Sequence, residues 1–494
     1  MKRKPKHILY LVADELRADC IGPYGNMQVH TPALDGLAED GQTYENAFCT
    51  FPVCTPSRYS MMTGLYAYQH RCLDNSTGIP ADLPTLPQLL RRHGYRTGAV
   101  GKLHCNPPRQ ELGFEWTLLA EQCGEGRYED DYHRFLQERG LADAVDMMDQ
   151  CEEWRNKAPR EYWDNFGNLP PQLPEGGDST SWIGENALRK VEQWGEESQF
   201  LMVSFIKPHH PFDAPDAWRE RYRPEEMTLL PGWTERVPER DYERDQGYFD
   251  HALLSRDTLK QILASYYASI TQIDFWIGRL IDALKEKGLY EDTMILFTAD
   301  HGDYMGFHHM LLKCNRMYDP VVRVPLLVKE AGNSAGNGRR EKELYNHLDL
   351  FSDLLHACNI PLPEGAPRRT TDTAGRKFIF SQQQVEGKPE YMVRSQTHKL
   401  LLSEQETLLF DLRDDPLEQE NRYGQETYRP IWEEMQNALW KQVLFHAPSV
   451  PCRDKTPIYT VQDLAIIHER RTYFDQKMTI YMKNEDSIKN PEKR

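Results

Sequence analysis

The run QFLMVSFI at 199–206 offers almost nothing polar to water. A strand apolar on both faces belongs in a parallel sheet covered by helices, not in an antiparallel sheet with one wet side. Shorter runs of the same kind recur at Ile8–Ala13, in DTMILFTAD (292–300) and in VRVPLLVKE (322–330). Helical patterns separate them. In TPALDGLAEDG (31–41) Thr31 is placed to cap, Pro32 suits the first turn and Gly41 ends the helix. PTLPQLLRRHGY (84–95) repeats the device with Thr85 and Gly94, and residues 257–288 read as one long amphipathic helix closed by Gly288. Strand–helix alternation of this kind predicts an α/β fold, a large sheet with helices on both faces.

Two stretches, 107–198 and 207–257, are polar, weakly periodic and rich in Trp, Tyr, Glu, Asp and Pro. They read as long insertions over the sheet, the usual carriers of substrate choice. Their aromatics would suit stacking on sugar rings or simply fill a core. After APRRTTDTAGR (366–376) the pattern changes to the short strands KFIFSQQ, YMVRSQTHKLLLS and TLLFDL, then a helix, YRPIWEEMQNALWKQVLFH. The expected division is therefore an α/β domain over 1–366 and a smaller α+β domain with a tail over 367–494.

A length of 494 residues with 39% hydrophobic side chains supplies a large core, and a formal net charge of −17 argues against nucleic acid or an anionic membrane as a general partner. No run approaches the roughly 18 apolar residues of a membrane span. The N-terminal MKRKPKHILYLVADELRAD has basic and then apolar residues, but the apolar run is short and acids follow at once, so it reads as a first strand rather than a signal peptide. The expected location is cytoplasmic, or periplasmic or secreted if a leader has been removed. The ten cysteines form no C-x-x-C pair and fit reduced, buried thiols. The sequon Asn75-Ser76-Thr77 would matter only in a secretory compartment.

Four polar clusters fall at the carboxyl ends of expected strands: Asp14-Glu15, Lys102 with His104, His209-His210, and Asp300-His301. Ligands of doubly wound sheets bind at that edge, so one topology would gather all four. Asp14, Glu15 and Asp300 would repel one another there. A divalent cation resolves the repulsion, and oxygen donors favour Ca²⁺ or Mg²⁺ over zinc. Each acid taken alone could equally be a helix cap or a surface charge, and His301 either a ligand or a hydrogen-bond donor.

Cys54 opens the helical stretch CTPSRYSMMTG (54–64), with Arg58 on the next turn. Helix N–H groups directed at Cys54 are expected to attract anions and lower the thiol pKa, and Arg58 to pair with a negative group at position 54. A buried inert thiol would need neither Pro56 nor Arg58.

CTPSR at 54–58 resembles the Cys-x-Pro-x-Arg signature of the type I sulfatases, members of the alkaline phosphatase superfamily, in which the Cys is oxidised after translation to formylglycine. HILYLVADELRAD, TPALDGLAEDG, CTPSRYSMMTGLYAYQH, GYRTGAVGKLH, KPHHPF, FTADHGDYMGFHHMLLKCNRMYDPVVRVPLLV and LFDLRDDPLEQEN follow in the order of that family. The resemblance implies an alkaline phosphatase-like sheet, mixed but mainly parallel, and hydrolysis of a sulfate monoester, with a carbohydrate as one candidate for the alcohol.

It implies further that Asp14, Glu15, Asp300, His301 and the modified Cys54 ligate a divalent metal, calcium first, with Mg²⁺ or Mn²⁺ as alternatives. The family more often has Asp at the Glu15 position, related phosphonate monoester hydrolases have Gln there, and Asn or His occupies the His301 position. Arg58 would orient the formylglycine, while Lys102, His104, His209 and Lys313 would bind sulfate and assist proton transfer. The implied partners are a small-molecule or glycan sulfate ester and a formylglycine-generating enzyme acting on Cys54. Two other readings stand beside this one: a phosphonate monoester or phosphodiester hydrolase of the same fold, and a non-catalytic anion-binding protein that never acquires the modification.

Overall fold

The computed structural model describes residues 3–124, 126–242, 249–332, 338–363, 376–445 and 461–489. Eight strands build the main sheet: β1 (His7–Asp14), β2 (Gln42–Phe48), β3 (Arg96–Gly101), β4 (Trp116–Leu119), β5 (Gln199–Pro208), β6 (Thr293–Ala299), β7 (Leu326–Lys329) and β8 (Arg339–Asn346). Their order is β4-β3-β5-β1-β6-β7-β2-β8. β7 runs antiparallel to β6 and β2, and the other neighbouring pairs are parallel. All eight residues of β1 and all seven of β6 are buried, as expected for central strands with both faces covered.

Two groups of helices clothe the sheet. Pro32–Asp40 and Ser179–Glu192 pack on the long helix Arg256–Glu286, whereas Cys54–Thr63, Leu86–Arg92 and His347–Ala357 pack on one another. The long helix starts where Ser255 accepts the Thr258 N–H and stops before Gly288, whose φ of +67° suits a residue without Cβ. The two threonine caps expected from sequence do not form. Thr31 Oγ1 accepts from Gly22 N instead, and Thr85 Oγ1 donates to Leu112 O. For the first helix the cap comes from across the fold, because Asp274 Oδ2 and Oδ1 accept the N–H groups of Ala33 and Leu34 at 3.0 and 2.8 Å. A carboxylate takes two orphan donors where a hydroxyl takes one.

The chain after residue 376 builds a four-stranded antiparallel sheet of β9 (Ile379–Val385), β10 (Lys388–Arg394), β11 (His398–Ser403) and β12 (Thr407–Asp411), in the order β12-β11-β10-β9. The stretch YMVRSQTHKLLLS, read as one strand, is two, with the turn at 395–397. Helix Arg429–Phe445 covers this sheet, packing Trp432, Met435 and Leu439 on Val393, Leu400 and Leu409. The expected boundary at 366/367 lies outside the described residues. Helix Val461–Lys489 packs on the first insertion: Arg470 Nη1 donates to Tyr128 O and Asp130 O, and Trp154 Nε1 donates to Asp475 Oδ1. No helix among the described residues is long and apolar enough to cross a membrane. Cys20, Cys49, Cys54, Cys105, Cys123, Cys151 and Cys358 are free thiols.

Candidate active site

The strands that end in the four polar clusters, β3, β5, β1 and β6, are consecutive and parallel. Lys102 and His104, His209 and His210, Asp14 and Glu15, and Asp300 and His301 therefore leave one edge of the sheet side by side. Helix Cys54–Thr63 points its first turn at the same edge, and the exposed Asn75 holds that turn by accepting the Thr55 N–H at 3.0 Å.

Arg58 organises the acids. Its Nε donates to Asp300 Oδ2 at 2.8 Å, Nη2 to Asp14 Oδ2 at 3.0 Å, and Nη1 to Lys102 O and Ser204 Oγ. Each carboxylate thus spends one oxygen on Arg58 and turns the other inward. Asp14 Oδ1 accepts from the Cys54 thiol at 3.6 Å, and Cys54 Sγ lies 3.3 Å from His301 Nε2. Asp300 Oδ1 accepts the N–H groups of Glu15 and His301. His301 Nδ1 donates to Gly302 O at 2.9 Å, which leaves the Nε2 lone pair facing inward. Ligand atoms of Asp14, Cys54, Asp300 and His301, all buried, lie within 4.8 Å of one another, a set able to hold a divalent metal.

Glu15 stands beside this group. Its Oε2 pairs with Lys313 Nζ at 2.7 Å and lies 3.1 Å from His209 Nε2, and its buried Oε1 has no hydrogen-bond partner. An orphaned carboxylate oxygen next to a cluster of hard donors is what a cation would satisfy. Lys102 Nζ sits 2.6 Å from Asp14 Oδ2. His209 Nδ1 donates to His210 O at 2.7 Å, so its Nε2 faces Glu15. The structure thus brings together every site residue singled out from sequence. Arg58 departs from expectation in its partners, which are the two aspartates, a carbonyl and a serine.

Electrostatics follow from burial. Burial resists ionisation of Asp14, yet Lys102 and Arg58 overcome it and hold the carboxyl far below the usual range. Burial also disfavours the Lys102 and Lys313 charges, and the acids around them hold both above the ordinary lysine value. His104 and His209 are pushed well below the usual imidazole range, by burial first and then by Lys102 and Lys313 respectively, so both are neutral near pH 7. Cys54 reverses the sequence expectation. Burial, then the negative charge of Asp14, pushes its thiol up to about 12, outweighing the helix N-terminus. Unmodified Cys54 is a thiol, not a thiolate nucleophile. Three acids, Asp14, Glu15 and Asp300, face three cations, Arg58, Lys102 and Lys313, so a bound divalent ion would leave a surplus of positive charge to receive an anion.

Sequence reasoning missed β4 and the residues just beyond it. Glu121 accepts from Leu103 N and His104 N, Gln122 joins Lys102 Nζ to His210 O, and Cys123 Sγ lies 3.1 Å from His104 Nε2. The signal was a short apolar run, WTLL, followed by polar residues inside an otherwise aperiodic insertion. Asp149, from the same insertion, grips His210 Nδ1 at 2.5 Å. Glu15 (φ 60°), His104 (φ 53°), Leu312 (φ 64°) and Cys314 (φ 79°), the last two flanking Lys313, adopt left-handed backbone. Strain of that kind, gathered around a pocket, is characteristic of functional sites.

The profile of the Sulfatase family matches residues 6–360. The chain belongs to the sulfatase family. It is 28% identical over 475 residues to an arylsulfatase of Clostridium perfringens, a match that covers 89% of this chain and 94% of that one. The phosphonate monoester hydrolase of Agrobacterium radiobacter superposes with a TM-score of 0.72 at 22% identity, covering 90% of this chain and 96% of the other. A structure in complex with its substrate D-glucosamine-2-N,6-O-disulfate superposes with a TM-score of 0.72 at 18% identity, covering 91% and 99%. At those identities the two structures speak for the fold alone. The sulfatase match agrees with the order of motifs along the chain and with the buried donor set at the sheet edge.

Proposed function

We propose that this sulfatase hydrolyses a sulfate monoester, in which a sugar is the alcohol, with residue 54 as formylglycine and Ca²⁺ as the metal. The observation that carries the reading is the convergence of Asp14, Cys54, Asp300 and His301 within 4.8 Å, ringed by Lys102 and Lys313. Asp14 Oδ1, Asp300 Oδ1, His301 Nε2 and residue 54 would hold the ion, which supplies charge to activate an oxygen of residue 54 and to offset the sulfuryl oxygens. The Cys54 sulfur stands where the oxygens of the modified residue would be. The hydrated aldehyde offers two hydroxyls on one carbon, one to attack sulfur and one whose deprotonation releases sulfate and restores the aldehyde.

The remaining residues have separable tasks. Lys102 and Lys313 stay protonated and present cationic charge to the sulfuryl oxygens as charge builds there. His104 and His209 are neutral at pH 7, so each can take up a proton, while a protonated neighbour returns one to the leaving alcohol. Overall the ester and one water become alcohol and hydrogen sulfate. Arg58 acts on the aspartates and so keeps the donor set in register. A sugar substrate is supported by the glucosamine disulfate held by the structural relative of the same fold.

Two measurements test this together. Mass spectrometry of the peptide containing residue 54, from protein made alongside a formylglycine-generating enzyme, should show the lighter aldehyde form. The same protein should turn over aryl sulfates and sulfated sugars faster than aryl phosphonate esters. Faster phosphonate turnover would favour the phosphonate monoester hydrolase reading, and an unconverted thiol in the native host would favour an anion-binding protein.

A further inference from the structure

Glu121 follows β4 and is withdrawn from solvent, 2% exposed, and it meets His104 through the backbone N–H. Its Oε1 accepts Leu103 N and His104 N at 3.0 and 2.9 Å, and Oε2 accepts the same His104 N at 3.1 Å. Its own N–H is anchored on Asp130 Oδ2 at 2.6 Å, and Asp130 Oδ1 is in turn held by His133 N. His104 sits at φ 53°, a conformation that a residue with a Cβ adopts only when its surroundings impose it. On the other side of the residue, Thr55 Oγ1, from the helix that begins at Cys54, donates to His104 O at 2.9 Å. The main chain of His104 is therefore clamped at both polar groups, and the N–H side of the clamp is one carboxylate from the first insertion.

We propose that Glu121 is a positioning residue for the reaction, holding His104 in its left-handed conformation so that the imidazole is aimed into the site. Remove the carboxylate and two adjacent buried N–H groups lose their acceptor, so nothing on that side opposes relaxation to ordinary φ, which swings the ring away. The proposal rests on the reading of His104 as a proton-transfer group. It adds that the insertion after β3 sets the geometry of that group.

The test compares Glu121→Ala, Glu121→Gln, His104→Ala and the double variant Glu121→Ala/His104→Ala, by steady-state kinetics on one aryl sulfate and by thermal denaturation. Glutamine keeps a carbonyl oxygen able to accept both N–H groups. The expected result is that Glu121→Ala lowers kcat about 10²-fold with KM within about threefold, while Glu121→Gln stays within about threefold of the parent. In the His104→Ala background the second substitution should cost no further kcat, since its effect runs through the missing ring. Should the alanine variant not fold, Glu121→Asp, whose carboxylate is drawn back by one methylene, carries the same expectation. Unchanged kcat in Glu121→Ala or Glu121→Asp, or a loss that adds fully to that of His104→Ala, overturns the proposal. A His104→Ala enzyme at full speed overturns the role of His104 itself and the proposal with it, whereas an impaired His104→Ala beside an intact Glu121→Ala overturns the proposal alone.

Discussion

The Arg58 guanidinium donates through Nε to Asp300 Oδ2 at 2.8 Å, with neither side chain more than 3% exposed. The same planar group reaches Asp14 through Nη2. Arg58→Ala would take the ion-pair partner from buried Asp300 and leave Asp14 with Lys102, so it should destabilise the metal-free protein by about 3–5 kcal/mol in chemical denaturation. Arg58→Lys should recover only part of that, because an ammonium cannot present donors in a planar fork.

In the proposed reaction residue 54 is the nucleophile, and its small side chain adds little to the fold. Cys54→Ala should lower turnover of an aryl sulfate by at least about 10³-fold while the melting temperature stays close to that of the parent. Normal turnover in that variant would refute the nucleophile assignment.

Removing the metal should cost both activity and stability. A chelator should abolish turnover and lower the melting temperature, and calcium at about 100 times its Kd should restore about 2.7 kcal/mol. Asp300→Asn should blunt both responses. Melting curves with Ca²⁺, Mg²⁺ and Mn²⁺ would rank the ions.

His251 makes stability depend on pH. Its Nε2 accepts the Leu311 N–H at 3.2 Å, and burial, with His309 adding to it, lowers its pKa to about 4. The unfolded chain binds this proton below about pH 6.5, and the folded chain binds it only near pH 4. Stability is therefore full above about pH 6.5 and falls as the pH drops toward 4, by at most about 3 kcal/mol from this residue. His251→Gln should flatten the slope of unfolding free energy against pH across that window by as much as one proton.

Asp274 caps a helix it does not belong to. Asp274→Ala would leave Ala33 N and Leu34 N without their acceptor and should lower stability by about 2 kcal/mol, with kcat/KM unchanged. Denaturant midpoints and aryl sulfate kinetics on the same preparations check both halves of the statement.

What was legible in the sequence is what depends on strand ends and local punctuation. Asp14, Lys102, His209 and Asp300 stood out because apolar runs stop at them, and parallel topology did the rest. Long-range substitutions of partner were not legible. Thr31 and Thr85 have the right residue type and position to cap, but their hydroxyls are recruited elsewhere. Cys54 has the helix N-terminus that normally acidifies a thiol, and burial together with the charge of Asp14 reverses the sign. The residues of 121–123 were hidden because β4 has four residues and lies in a stretch with no periodicity.

Both large insertions spring from the reactive strands, one after β3 and the other after β5. Reactivity is therefore shared between sheet and insertion: the sheet edge supplies the reacting groups, and the first insertion supplies Glu121 and Gln122 that hold them. Glu121, Gln122 and His209 belong to those insertions, so a loop taken from a relative should retarget the enzyme to new alcohols only when these three residues are carried over with it.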